Sequence, residues 1–108
     1  MGKEEKRGRR PTPDKGDSET SQLLVALGHP RRRQILQAMA GEELFSPLDL
    51  SRTLRRPLSN LSYHVRVLSK CGAIELVDMR PVRGSMQHFY RVAVEAEWAR
   101  AVLGIAGV

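Results

Sequence analysis

The sequence holds a single cysteine, Cys71, so no disulfide can form within the chain, and a reducing cytosol suits it. No apolar run approaches the roughly 18 residues that a membrane span requires. No charged segment followed by an apolar one opens the chain either, so the expectation is a cytoplasmic protein that makes no membrane contact. His29, His64 and His88 lie too far apart to form a ligand pattern, which gives no metal site or cofactor to expect. A Gly-x-Ser-x-Gly elbow, a phosphate loop and a paired acidic motif are all absent, and enzymatic activity is not expected. Aliphatic residues are missing from residues 2–20, where both charge signs mix with Gly and Pro. Such a stretch cannot bury enough surface to offset chain entropy, which predicts a disordered charged tail over 1–20 and one domain over 21–108.

What the chain does have is positive charge, and most of it lies in that domain. Of the net +6 over 108 residues, residues 1–20 contribute six basic against five acidic side chains, and residues 21–108 twelve against seven. The folding part is the basic part, as expected of a nucleic-acid binder, although solubility alone would also account for it.

The stretch Ser46 to Gly72 reads as two short helices and a tight turn. Ser46 is placed to cap, Pro47 to take the first helical position and Asp49 to close a capping box. Leu50 and Leu54 repeat at i, i+4. Arg55-Arg56-Pro57 ends the pattern, because a residue before proline is pushed out of the helical region. In the second helix Leu61, Val65 and Leu68 form an apolar face. The other face shows Asn60, Ser62, Tyr63, Arg66 and Lys70, side chains suited to base edges and phosphates. Two helices joined in this way describe a helix-turn-helix, whose second helix enters the major groove.

Around it, Leu23, Leu24 and Leu27 mark a first helix over 21–28 ended by Gly28, and Pro30 opens a second running to about Ala40. Ile35, Leu36 and Met39 should face its core. Arg31, Arg32 and Arg33 in its first turn oppose the helix dipole, which points to a nearby phosphate or acidic group. Partial alternation over Ala73–Met79 and full alternation over Met86–Val92 predict a hairpin, with Arg80 to Ser85 as its basic tip. In the last segment, from Glu95, Trp98, Val102 and Ile105 fall at i, i+4, i+7, while Ala99, Leu103 and Ala106 make a second side apolar. A terminal helix that apolar on a small domain predicts a homodimer, joined through it and the first helix. The expected interface residues are Leu23, Leu24, Leu27, Trp98, Val102 and Ile105.

This order of elements, with Leu27-Gly28-His29-Pro30-Arg31-Arg32, Ser59 to Leu68, Gly72-Ala73-Ile74 and Phe89-Tyr90-Arg91-Val92, resembles the ArsR-type winged helix-turn-helix regulators over residues 21–92. The resemblance implies a mainly α fold with a small β-hairpin wing, and a dimeric transcriptional regulator that binds a short inverted repeat. It implies terminal helices at the dimer contact. Many members sense metals through a Cys-x-Cys pair in the third helix or an Asp/His/Glu set in the last. Neither is present, since Glu43 to Leu50 lacks cysteine and residues 95–108 lack histidine. Arg55 stands where a turn glycine is common, which predicts a strained turn. His29 replaces a small acidic or amide residue and should cap less well.

Double-stranded DNA is therefore the expected partner, contacted by Ser59, with Asn60, Ser62, Tyr63 and Arg66 toward the bases and Lys70, Arg80 and Arg83 on phosphate. Repression is the expected outcome, and the residues name no effector. A protein-interaction module or a nonspecific nucleic-acid binder are the alternatives. His64 is expected to be a packed helix residue and Cys71 a small core filler.

Overall fold

The computed structural model describes residues 15–41 and 44–105. Within them the chain runs α1 (Lys15–Ala26), α2 (Pro30–Ala38), α3 (Pro47–Leu54), α4 (Leu58–Lys70), β1 (Ile74–Val82), β2 (Ser85–Val92) and α5 (Glu97–Leu103). This is the expected mainly α fold with a hairpin wing. Differences lie at the edges of elements. Helix α1 starts at Lys15, ahead of the expected 21, so part of the stretch read as tail is helical. The basic run Lys6 to Arg10 lies outside the described residues.

The core is built from the apolar stripes that helical spacing predicts. Ile35, Leu36 and Met39 of α2 and its exit, Leu50 of α3, and Leu61, Val65 and Leu68 of α4 are all buried. Ala26, Leu27, Ala73, Ile74, Val94, Ala99 and Leu103 complete the cluster. Helix α3 begins as its sequence predicts. Ser46 Oγ accepts from the Asp49 amide at 3.1 Å, and Asp49 Oδ2 accepts from the Ser46 amide at 3.0 Å. Its exit has Arg55 in the left-handed region at φ 57° and ψ 50°, the strained turn the missing glycine implies.

The wing is longer than the alternation suggests. Val82 pairs with Ser85, leaving a two-residue turn of Arg83 and Gly84 at φ 51° and 84°. Two positive φ values in a two-residue hairpin loop match the right-handed twist of the strands. The register shifts between Leu76 and Asp78, so Val77 is the extra residue of a bulge. That bulge explains the broken alternation of Ile74, Leu76 and Val77. Phe45 adds a single bridge to the edge of the hairpin, exchanging two backbone hydrogen bonds with Tyr90 at 3.0 and 2.9 Å. The bridge holds the wing beside the entry to α3.

Helix α5 turns Ala99 and Leu103 into the core. Trp98 and Val102, the expected stripe, remain 39 % and 58 % exposed. Ile105, third in that stripe, packs instead against the core. No helix among the described residues is long and apolar enough to cross a membrane.

A candidate DNA-reading surface

The reading surface is the side of α4 that its core stripe leaves outside. With Leu61, Val65 and Leu68 buried, the 3.6-residue period sends Ser59, Asn60, Tyr63, Arg66 and Lys70 to solvent, and Ser62 to the margin. Tyr63 is 54 % exposed. Arg66 and Lys70 form no ion pair or hydrogen bond through their side chains among the described residues. Leu58, the first residue of α4, is exposed within this polar surface.

Between α4, the entry of α3 and β2 lies a groove of about 410 Å³, lined in part by Leu48, Ser62, Arg66, Lys70, His88 and Tyr90. His88 was not among the expected site residues. Its parity with Tyr90 along β2 is the signal that would have found it. The wing thus lies beside α4, and Arg83 stands exposed at its tip.

Arg80 has a different setting. Its Nε donates to Asp78 Oδ2 at 2.8 Å, and its guanidinium lies 4.5 Å from the centre of the Phe89 ring. Phe89 points to the opposite side of β2 from His88 and Tyr90. The hydrogen bond from Arg80, helped by the Met79 amide, holds the Asp78 carboxyl below its usual pKa. A phosphate contact by Arg80 would compete with both partners. On the same side of the hairpin, Arg91 donates twice to Glu75 Oε2, at 2.9 and 2.7 Å.

The arginines at the start of α2 are tied inward. Arg32 Nη2 and Nε donate to the carbonyls of Val25 and Ala26 at 2.9 and 3.2 Å, and Arg33 Nη1 to Leu27 at 2.6 Å. These carbonyls close α1, so the cations sit at the negative end of its dipole. That role replaces the expected phosphate. Arg31 turns to Gln34, and His29 caps α2, its Nδ1 accepting from the Arg31 amide at 2.9 Å.

His64, on the inner side of α4, is 4 % exposed. Its Nδ1 lies 3.3 Å from Arg32 Nη1 and its ring 4.4 Å from that of His29. A guanidinium can only donate, so the contact requires a neutral imidazole. Burial first, then His29, Arg32 and Arg31, push the His64 pKa below the ordinary 6.5. His64 is therefore a packed residue, as expected. Cys71 packs partly buried against the core. Among the described residues, no three His, Cys, Asp or Glu side chains gather into a metal-binding group.

Of the expected dimer residues, Leu24 is 59 % exposed, and Trp98 and Val102 are exposed as well. Leu27 is buried within its own subunit at 7 %, and Leu23 packs partly against the core. Those two are largely committed at home.

Comparison with known proteins agrees with this geometry. Residues 27–77 match the family model of a helix-turn-helix domain. The chain carries a helix-turn-helix domain and has the winged helix-turn-helix fold. Its fold is similar to that of HlyU from Vibrio cholerae N16961, at 25 % identity and a TM-score of 0.61, over 85 % of this chain and 91 % of that one. The transcriptional regulator HlyU from Vibrio vulnificus CMCP6 is similar at 24 % identity and a TM-score of 0.58, over 82 % and 84 %. A third is the homodimeric winged helix-turn-helix DNA-binding domain of Mb0332 from Mycobacterium bovis, a possible ArsR-family regulator. It matches at 19 % identity and a TM-score of 0.61, over 88 % of this chain and 83 % of that fragment. No curated protein matches the chain in sequence at a significant level. The resemblance of the chain to the ArsR type stands, without that type's cysteine pair.

Proposed function

We propose that this protein is a cytoplasmic, homodimeric, DNA-binding transcriptional repressor that reads an inverted repeat, laying one α4 from each subunit in successive major grooves. The observation that carries the reading is the exposed row Ser59, Asn60, Tyr63 and Arg66 above a buried leucine-valine stripe. Ser62 and the row above supply base contacts, and Lys70 and Arg83 hold phosphate. Two half-sites roughly 34–36 Å apart follow from the pitch of the duplex. Exposed Leu24, Trp98 and Val102 on the terminal helices supply apolar surface for the second subunit.

Selection of bound duplexes from a random pool tests this, run near ~200 mM salt to suppress phosphate-only binding. Recovery of an inverted repeat with half-sites about one turn apart is the expected result. Recovery of single half-sites would remove the dimer from the reading. An unenriched pool would remove sequence-specific contact altogether. Sedimentation of wild type beside Val102→Glu adds the subunit count, with the variant expected to be monomeric.

A further inference from the structure

Among the described residues, two that are not glycine hold a left-handed backbone, Arg55 and Arg83, at φ 57° and 51°. In this region the β-carbon crowds the following carbonyl oxygen, a cost that glycine avoids. Both positions carry arginine. Both side chains are exposed, and neither has a hydrogen-bond or ion-pair partner among the described residues.

The turn at Arg55 does not depend on its side chain. Its amide and that of Arg56 bond to the Ser51 carbonyl, and the Ser51 hydroxyl donates to the Arg56 carbonyl at 2.6 Å. Backbone and Ser51 together close the bend. The guanidinium is thus free of structural work at a site where the backbone favours glycine. Strain kept in place without a structural return points to a functional role. Arg55 ends α3 and stands three residues before Leu58, which opens α4. In a helix-turn-helix the first helix crosses the DNA backbone and the second enters the groove by its N-terminal residues. The joining turn therefore comes against the flanking phosphates.

We propose that Arg55 is a phosphate-binding residue of the DNA contact, gripping the backbone at the turn as Arg83 does at the wing tip. The proposal rests on the DNA-binding reading above. It extends the footprint to the turn before α4 and adds affinity without sequence preference.

The full-length chain and its Arg55→Gly and Arg55→Lys variants are titrated against one selected duplex and one random duplex of equal length. Salt runs from about 50 to 200 mM, and thermal unfolding is followed in parallel. Arg55→Gly is expected to raise Tm by a few degrees, since it releases the left-handed cost. It should weaken binding to both duplexes several-fold at the low-salt end and by equal factors. The slope of log affinity against log salt should fall by about one per bound subunit, while Arg55→Lys keeps it. An unchanged slope and affinity in Arg55→Gly, with wild type binding steeply, overturns the Arg55 proposal alone. A lowered Tm makes the side chain structural and overturns it too, and a loss confined to the selected duplex makes Arg55 a base reader instead. Absence of salt-dependent binding by wild type overturns the DNA-binding reading, and this proposal with it.

Discussion

Arg31, Arg32 and Arg33 at the head of α2 and the cations around α4 have the same charge and very different work. Arg32 and Arg33 reach back to the carbonyls of Val25, Ala26 and Leu27 at the exit of α1, and Arg32 also touches His64. Arg66, Lys70 and Arg83 reach no acceptor through their side chains among the described residues. The first group is bound to the fold, and the second is available to a polyanion. Basic charge by itself therefore says little about where DNA binds. The distance from each cation to a protein acceptor separates fastener from reader, because a guanidinium already satisfied must give up one partner to gain another.

That contrast is sharpest for Arg32→Met, which keeps the aliphatic stem and removes the bonds to Val25, Ala26 and His64. A loss of about 2 kcal/mol in unfolding free energy is expected, with no change in the salt slope of DNA binding. Urea melts beside binding titrations would reveal it, and an unchanged midpoint would merge the two groups. Arg66→Ala is the reverse case. It should leave the melting curve in place and weaken the selected duplex by roughly 1–3 kcal/mol, more than a random one. Equal losses on both duplexes would make Arg66 a phosphate contact.

A smaller effect is expected at His64, whose folded pKa lies below the unfolded value. The unfolded chain takes up the proton first as pH falls. Stability from this site is therefore complete above about 6.5 and declines as pH drops toward the folded value. His64→Gln should flatten the profile in that window, as pH-dependent melts would register. A profile as steep as wild type would place the titration at another group. The smallest effect belongs to Arg80→Gln. An exposed ion pair is screened by solvent and contributes little, so stability should barely move. DNA affinity should fall less than in Arg83→Ala, and a larger fall would show that Arg80 leaves Asp78 for the duplex.

Much of the fold could be read in the chain because its signals are local. Ser46, Pro47 and Asp49 act within one helical turn, and Leu61, Val65 and Leu68 repeat with the helical period. The polar face of α4 followed directly, since whatever a core stripe does not bury must face out. Arg55 was legible too, as an arginine where a turn favours glycine. The wing was harder to bound. Its strands reach Val82 and begin again at Ser85, so residues read as a loop pair across the hairpin, and Arg80 and Arg83 fall into different settings. The bulge at Val77 depends on register with the partner strand, which no single strand encodes.

By itself, the sequence determined the helix-turn-helix, its caps, its core stripe and the residue types offered to a duplex. These depend on neighbours within a few positions. Tertiary structure decided which arginines remain available, because the carbonyls at the exit of α1 and the Phe89 ring approach them only after folding. It also decided which side of α5 stays outside. Ala99 and Leu103 fit against the core of the domain, and Trp98 and Val102 remain at the surface. Both sides were apolar in sequence, and packing selected between them because the narrower one allows the closer approach of helix to core.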